Sequence, residues 1–293
     1  MSALSLAALT ILDAGPAGQI RAAAAAGFAS VGLRLNPLLA SDPQIAGLPE
    51  REGEVEELIT QAQMKVLEIG VFPILPHLQP EDLTAVLALS QRLGAQFLVC
   101  PVEDTDPVRR LATFSHLCDV AARYDLQCLI EFNPYSACPN LTAAVEMMLA
   151  TQAGNKGLVI DALHLSRSGG DPNELLAVDP KWLKLVHLCD APPKPEGLRT
   201  LEEMRAESRT ARLLPGEGSL WLDRLMAALP ADVGVSIEAP TARNAHLPAL
   251  ERARLAFQAS QIFMDRQAAR AHMPPNEKDR HRVPVSWLQS GGT

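Results

Sequence analysis

The sequence predicts an α/β protein, a single-domain (β/α)8 TIM barrel followed by a C-terminal extension. Eight short apolar runs of strand type recur along the chain. Six of the seven gaps between their starts are 26 to 35 residues long, which is the length of one strand–helix unit. The segments between them show helical periodicity. Eight such units in about 265 residues match the usual length of this barrel.

The eight predicted strands are followed by helices with recognisable ends. Residues 17–27 are rich in alanine and close on Gly27, a natural C-cap. Residues 107–125 have apolar residues at helical spacing after Pro107, which suits a first turn. Residues 249–264 form the last amphipathic helix. The predicted strands are residues 4–9, 30–35, 65–72, 96–101, 127–132, 157–162, 184–189 and 234–239.

A doubly wound parallel sheet is the competing architecture. It usually has five or six strands and often a glycine-rich first turn. The first turn of this chain, DAGPAGQ (13–19), lacks the GxGxxG pattern. The number of units and the absence of this pattern both favour the barrel.

Two segments depart from the regular period. Residues 191–218 add about 20 residues between the seventh and eighth strands, and such an insertion is expected to build substrate walls or a lid. Residues 266–293 lack clean periodicity. They are predicted to be either a disordered tail or a segment that covers the site or a neighbouring subunit. The expected organisation is therefore a barrel over residues 1–265 and an extension over residues 266–293.

The composition excludes several classes of function. The chain has 293 residues and a formal net charge of −8, so it lacks the clustered basic surface that nucleic acid requires. No apolar run approaches the roughly 18 residues of a membrane span. The N-terminus has no basic segment, and Asp13 interrupts its apolar run, which argues against a signal peptide. Five cysteines without CxxC spacing indicate no disulfide framework. We expect a reduced, cytoplasmic protein that binds neither nucleic acid nor membrane.

Four consecutive strands end on a residue that can bind a metal ion. The fifth ends on Glu131, the sixth on Asp161, the seventh on His187 and the eighth on Glu238. Each alone has an ordinary explanation, such as a helix N-cap or a buried histidine, but together they meet at the catalytic end of a barrel. Three buried carboxylates would repel one another unless a cation neutralised them. The predicted cofactor is one divalent ion, with Mn²⁺ or Mg²⁺ favoured and Co²⁺ or Zn²⁺ as alternatives.

Several segments resemble one known family, the xylose isomerase-like barrels. This family contains sugar phosphate isomerases/epimerases, ketose 3-epimerases, inosose isomerases and dehydratases, and endonuclease IV. The resemblance extends over about residues 4–265 and looks nearest to inosose isomerase-like members. The segments that carry it are IEF (130–132), VIDALH (159–164), KLVHLCD (184–190), RLLPGEG (212–218) and SIE (236–238).

The resemblance implies roles for individual residues. It implies that the four strand-end residues hold the metal, that His164 contacts substrate, and that Arg212 and Arg34 bind substrate oxygens. The chain itself agrees for Arg34, because an arginine in an apolar strand is costly unless it faces the mouth or pairs with an acid. His164, shortly after the sixth strand, could equally be an ordinary loop histidine. Glu68 lies in the middle of the third strand, and no role is predicted for it.

The expected activity is isomerisation or epimerisation of a polyhydroxy ketone, either a ketose or a cyclitol ketone. In this hypothesis one of Glu131 and Glu238 removes a carbon-bound proton and the other returns it, through an enediolate that the metal stabilises. The alternative is a dehydratase of the inosose or 3-dehydroshikimate type. A nuclease like endonuclease IV is disfavoured, because the fourth strand ends Cys100-Pro101 and the chain has only seven histidines. A non-enzymatic sugar binder is also less favoured, and a homo-oligomer is left open.

Overall fold

The computed structural model describes residues 3–38, 42–197 and 199–271, and it confirms the predicted barrel. Eight parallel strands pair in chain order, and the last strand pairs with the first. This closed ring excludes the doubly wound sheet, and each predicted run overlaps one strand. The strands are β1 (Leu4–Leu6), β2 (Ser30–Arg34), β3 (Lys65–Gly70), β4 (Phe97–Pro101), β5 (Gln127–Glu131), β6 (Lys156–Asp161), β7 (Leu183–Leu188) and β8 (Gly234–Ile237).

The α-helices alternate with the strands and surround the ring. As predicted, α1 ends against Gly27, whose φ of 104° is left-handed and suits glycine. Pro107 begins α4, and the Asp106 side chain accepts hydrogen bonds from two backbone N–H groups of the first turn. The described helices are α1 (Gly15–Ala26), α2 (Pro49–Ala62), α3 (Thr84–Arg92), α4 (Pro107–Ala122), α5 (Leu141–Ala150), α6 (Ala162–Arg167), α7 (Leu201–Thr210), α8 (Leu222–Ala228) and α9 (Ala249–Ala271).

Short 3₁₀ helices complete the connections at Ala8–Ala14, Pro80–Leu83, Pro172–Ala177, Pro180–Trp182 and Ala242–Asn244. α9 packs against α1 and completes the outer ring of helices. The rings of Phe28 and Phe257 meet edge to face there, with centroids 5.1 Å apart.

Two apolar layers stabilise the barrel because successive strand residues point to opposite faces. The larger layer lies between the strands and the surrounding helices. The smaller layer fills the barrel interior with fully or almost fully buried side chains. We call this inner layer the floor. It consists of Phe97, Val99, Leu129, Val159 and Leu185.

The insertion at residues 191–218 contains the helix α7. Thr200 and Glu203 form a capping box at its start, which satisfies the free N–H groups of the first turn. Its Glu207 accepts hydrogen bonds from Arg167 of α6 at 2.8 Å and from Arg199. The pair with Arg167 joins the insertion to the barrel, and the pair with Arg199 lies within the insertion.

The predicted C-terminal extension is described only in its first residues. α9 continues to Ala271, so residues 266–271 are the final part of this helix. Arg270 forms an ion pair with Asp223 of α8. The remainder of the predicted extension, residues 272–293, lies outside the described residues.

None of the helices in these described ranges combines the length and apolar character that a membrane span needs. All five cysteines are buried free thiols.

Candidate metal centre and cavity

The four strand-end residues converge at the carboxyl end of the barrel. Glu131, Asp161, His187 and Glu238 each offer one ligand atom, and these atoms lie within 4.8 Å of one another. Strand pairing explains the convergence, since Asp161 of β6 stands directly beside His187 of β7. Each of the four residues is at most 9% exposed. We call these four residues the ligand cluster.

Cationic side chains balance the carboxylates of the ligand cluster. The Nδ1 atom of His187 lies 2.9 Å from Glu131 Oε1 and 3.4 Å from Glu238 Oε2. Arg212 places its guanidinium nitrogens 2.5 Å from Asp161 Oδ2 and 3.0 Å from Glu238 Oε2. Such contacts are what buried charges need in order to be tolerated.

These contacts shift the pKa values of the charged groups. Burial alone would lower the pKa of His187, but the Glu238 and Glu68 carboxylates outweigh it and raise that pKa well above its ordinary value. Burial would raise the pKa of Glu238, yet His187 and Arg212 hold it far below its ordinary value. The pKa of Asp161 is lowered, since Arg212 and His164 outweigh the effect of burial. Asp161 and Glu238 are therefore held as carboxylates, the form that binds a cation.

The donor set fits a divalent cation. Carboxylate oxygens suit hard ions such as Mn²⁺ and Mg²⁺, and one imidazole extends the range to Zn²⁺ and Co²⁺. Local structure holds two of these donors in place. The Oδ1 atom of Asp161 caps α6 by accepting the His164 N–H at 2.8 Å. The other ring nitrogen of His187, Nε2, lies 2.8 Å from Glu68 Oε2 and leaves Nδ1 towards the cluster.

A cavity of about 930 Å³ opens above the ligand cluster. This volume is in the range of pockets that hold small molecules. Glu131 and Glu238 line the cavity, whereas Asp161 and His187 are absent from its wall. The two glutamates are thus placed to meet a small molecule, and the other two residues lie behind them.

The structure also brings the other predicted site residues to this cavity. His164, Arg212 and Arg34 all line it. His164 lies in α6, and its ring meets the Tyr135 ring edge to face with centroids 5.6 Å apart. Arg34 ends β2, and its Nε atom is buried without a hydrogen-bond partner among the described residues. Burial also lowers the pKa of Arg34, although the Glu238 carboxylate opposes this effect.

Arg212 is more deeply buried than Arg34 and His164, the other two residues predicted to bind substrate. It is 1% exposed and contacts the carboxylates of the ligand cluster directly. Its position follows from the RLLPGEG segment, because Leu213 pairs with Asp190 through backbone hydrogen bonds of 2.8 and 2.9 Å. The Arg212 Nε–H also donates to the Ser208 carbonyl at 2.7 Å. Arg212 nevertheless contributes to the cavity wall.

Three residues at this site, Glu68, Tyr135 and Ser208, were not predicted from the sequence. Glu68 reaches His187 from the third strand, and the signal for it was the same as for Arg34: a charged residue inside an apolar strand. Tyr135 follows β5, lines the cavity and shares a 2.7 Å hydrogen bond with Ser208 of α7. Burial raises the pKa of the Tyr135 phenol to about 12. Neither Tyr135 nor Ser208 carried a signal, because both lie outside the strand pattern.

Comparisons with known proteins agree with this architecture. A family model described as the xylose isomerase-like TIM barrel matches residues 20–261. The chain belongs to this family, which confirms the resemblance drawn from its motifs.

Curated relatives match over part of their length. An inosose isomerase of Bacillus subtilis (strain 168) is 29% identical over 42% of this chain and 41% of that protein. An inosose isomerase of Bacillus licheniformis is 24% identical over 53% of this chain and 56% of that protein. The chain thus spans about half the length of the curated relatives that it matches.

Solved structures share the fold over most of the chain. The IolI protein with a binding zinc atom superposes with a TM-score of 0.73, covering 91% of this chain and 99% of that one at 19% identity. The probable 3-DHS dehydratase AsbF from Bacillus anthracis gives a TM-score of 0.67, covering 89% and 99% at 14% identity. A D-allulose 3-epimerase from Methylomonas sp. gives 0.65, covering 90% and 97% at 16% identity. At identities this low, the structural likeness establishes a common fold and nothing further.

Proposed function

We propose that this protein is a divalent-metal-dependent isomerase or epimerase of a polyhydroxy ketone, either a ketose or a cyclitol ketone. The observation that carries the proposal is the division within the ligand cluster. Glu131 and Glu238 line the cavity, and Asp161 and His187 lie behind them. The similarity to inosose isomerases and to a D-allulose 3-epimerase supports the same reaction class.

A divalent cation bound to the ligand cluster would polarise the carbonyl and neighbouring hydroxyl of the substrate and stabilise the negative charge that develops on them. One of the cavity-lining glutamates, Glu131 or Glu238, takes the proton from the carbon beside the carbonyl. The other returns a proton from the opposite side. Glu131 ends β5 and Glu238 directly follows β8, with β6 and β7 between these strands, so the two glutamates flank the centre of the cluster.

The remaining residues position the substrate. His164 and Arg34 offer hydrogen-bond donors from the cavity wall, and Arg212 adds a fixed positive charge beside Glu238. Asp161 and His187 have no contact with the cavity and serve as ligands.

Hydrogen exchange tests the proposal. In D₂O, metal-loaded protein should introduce deuterium beside the carbonyl of its substrate, detected by NMR across ketoses, inososes and 3-dehydroshikimate. Glu131→Gln and Glu238→Gln should each lower the exchange rate by about 10²- to 10⁴-fold, the usual contribution of a general base.

Metal content must be measured in the same samples, because both glutamates are also proposed ligands. Glu146→Gln is the matched control, since Glu146 is exposed on α5. If no compound showed exchange while one ion per chain was bound, the proposed reaction would be wrong and the protein would belong to another reaction class.

A dehydratase acting on an acidic cyclic ketone is the second candidate. The buried Nε atom of Arg34 has no hydrogen-bond partner among the described residues, and Arg209 of the insertion lines the same cavity. Two arginines suit a substrate carboxylate. The first proton transfer would be the same, but the β-hydroxyl would then leave with a proton as water while a C=C bond forms. Loss of one water from the product mass and a new conjugated absorption band would identify this reaction.

A further inference from the structure

Glu68 is a buried acid that the proposed reaction does not use. It is 3% exposed and lies in β3, on the side of the ring opposite β7. Its Oε2 atom lies 2.8 Å from His187 Nε2, and its Oε1 atom accepts the Ser236 hydroxyl at 2.7 Å. The carboxylate therefore crosses the barrel interior and is held at both oxygens.

The backbone is shaped to admit this side chain. In the pairing of β2 with β3, Val31 faces Val66 and Gly32 faces Glu68, so Leu67 is an extra residue that makes a β-bulge. A Cβ atom at Gly32 would lie 2.5 Å from Glu68 Oε1, well inside contact distance. The bulge and the glycine together make room for a carboxylate where a regular strand would have none.

The contact decides which nitrogen of His187 faces the ligand cluster. A carboxylate accepts a hydrogen bond, so Nε2 must carry the proton that it donates to Glu68. In the neutral imidazole the lone pair is then on Nδ1. That atom also faces carboxylates, 2.9 Å from Glu131 Oε1 and 3.4 Å from Glu238 Oε2, so the proton that it shares with them is the one that a cation at the cluster would replace, while the Nε2 proton stays on the Glu68 side. Glu68 thus selects the tautomer that can bind a cation at the cluster.

Charge supports the same role. With Glu68, four carboxyl groups face one guanidinium, that of Arg212, and one imidazole, that of His187. The carboxylates outnumber the cationic groups, so the set has negative charge left for a dication to neutralise. A carboxylate behind a metal-binding histidine also makes the imidazole a stronger donor.

We infer that Glu68 is a positioning residue of the metal centre, which orients the His187 ring and fixes its Nε2–H tautomer through a carboxylate–histidine pair. The inference rests on the metal binding in the proposed function. It concerns a residue that touches neither the cavity centre nor the cation, and acts through His187 alone.

The Glu68→Gln variant of the full chain tests the inference. Because the Ser236 hydroxyl donates to one oxygen of Glu68, the amide oxygen of Gln would take that place and its NH₂ group would face His187 Nε2. This arrangement stabilises the wrong tautomer. Competition with a chromogenic chelator should show affinity for Mn²⁺ and Zn²⁺ about 10- to 100-fold weaker than in the parent chain. Glu146→Gln should leave the affinity unchanged.

A spectroscopic measurement separates positioning from a purely structural role. In the Zn²⁺-loaded parent chain, ¹H–¹⁵N NMR of the histidine rings should show a slowly exchanging Nε2–H on His187. This signal should be lost or strongly shifted in Glu68→Gln. An unchanged signal, with a lower melting temperature of the metal-free variant, would mean that Glu68 is only a structural residue and overturn the inference.

Ser236→Ala provides a second route should Glu68→Gln fail to fold. It removes one of the two contacts that hold the carboxylate and leaves the carboxylate itself, so affinity should fall by roughly tenfold or less. Equal metal affinity in the parent chain and the variants would overturn the inference and leave the proposed function intact. A parent chain that binds neither Mn²⁺ nor Zn²⁺ would instead contradict the proposed function.

Discussion

The barrel interior has two levels with opposite chemistry on the same strands. In β5, β6 and β7, an apolar floor residue is followed two positions later by a member of the ligand cluster, on the same face. The two levels are separated by about 7 Å along each strand, and both are almost fully buried. The pairs are Leu129 and Glu131, Val159 and Asp161, and Leu185 and His187.

The difference between the two levels shows how the fold divides stability from function. Floor side chains leave water and pack against one another, which stabilises the fold by about 25 cal/mol per Å² of apolar surface. Cluster side chains need Arg212 and one another to be tolerated, and a buried ion pair adds little stability compared with apolar packing. We therefore expect substitutions at the two levels to separate folding from chemistry.

Glu131→Gln should have the largest effect of these variants, and this effect should be on function rather than on folding. Besides the 10²- to 10⁴-fold loss of exchange expected for a general base, the metal-free variant should unfold with a free energy within about 1 kcal/mol of the parent chain. The reason is that a glutamine oxygen can still accept a hydrogen bond from His187 while repulsion between carboxylates falls. Urea denaturation in EDTA measures this quantity. A destabilisation of several kcal/mol would show that the cluster also maintains the fold.

Leu185 lies two positions before His187 on the same face of β7. Leu185→Ala should have the reverse effect and change stability rather than function. Deleting a fully buried leucine should lower the free energy of unfolding by about 2–5 kcal/mol through lost burial and a cavity. Metal affinity measured below the unfolding transition should stay within about twofold of the parent value. Leu176→Ala is the control, since Leu176 is 71% exposed and its removal should cost less than about 0.5 kcal/mol. If metal affinity fell in proportion to stability, the floor and the ligand cluster would behave as one cooperative unit, and the separation of folding from chemistry would be wrong.

Glu207 of α7 extends the comparison to the rim above the cavity. Burial alone would raise the pKa of Glu207, but hydrogen bonds from Arg167 and Arg199 hold it below its ordinary value. A carboxyl group with a lowered folded-state pKa stabilises the protein above its unfolded pKa of about 4.3, and this contribution is lost as pH falls through the folded value. Glu207→Gln should therefore cost about 1–3 kcal/mol at neutral pH, and the difference should shrink below about pH 4.

Parallel denaturation of the parent chain and Glu207→Gln at several pH values gives this difference directly. Glu202→Gln on the exposed side of the same helix is the control and should show little difference at any pH. A difference that is independent of pH would contradict an ionic origin.

His164→Ala should produce the smallest effect and leave the metal in place. His164 lines the cavity and lies outside the ligand cluster, so under the proposed function the variant would lose one contact to substrate. We expect kcat/KM to fall by roughly 5- to 30-fold, the value of one or two hydrogen bonds. Tyr135→Phe is a matched comparison, because it retains the ring that packs on His164. If His164→Ala lost its metal ion, His164 would belong to the ligand cluster.

The sequence by itself determined the eight units and the ligand cluster. Strand and helix periodicities are local properties, and in a closed barrel consecutive strands are neighbours, so the ends of β5 to β8 had to meet. Alternation along each strand then decided that Glu131, Asp161 and His187 share the inward face with the floor. These predictions required no knowledge of distant contacts.

The tertiary structure alone decided which distant residues complete the site. Glu68 and His187 are 119 positions apart and meet across the barrel, and a bulge at Leu67 interrupts the alternation that would have placed Glu68. Arg212 reaches Asp161 over 51 positions because the insertion folds back on the rim. Periodicity describes the direction of a side chain relative to its own strand. Which partner it finds across the barrel depends on how the whole ring closes and on where the irregular segments pack.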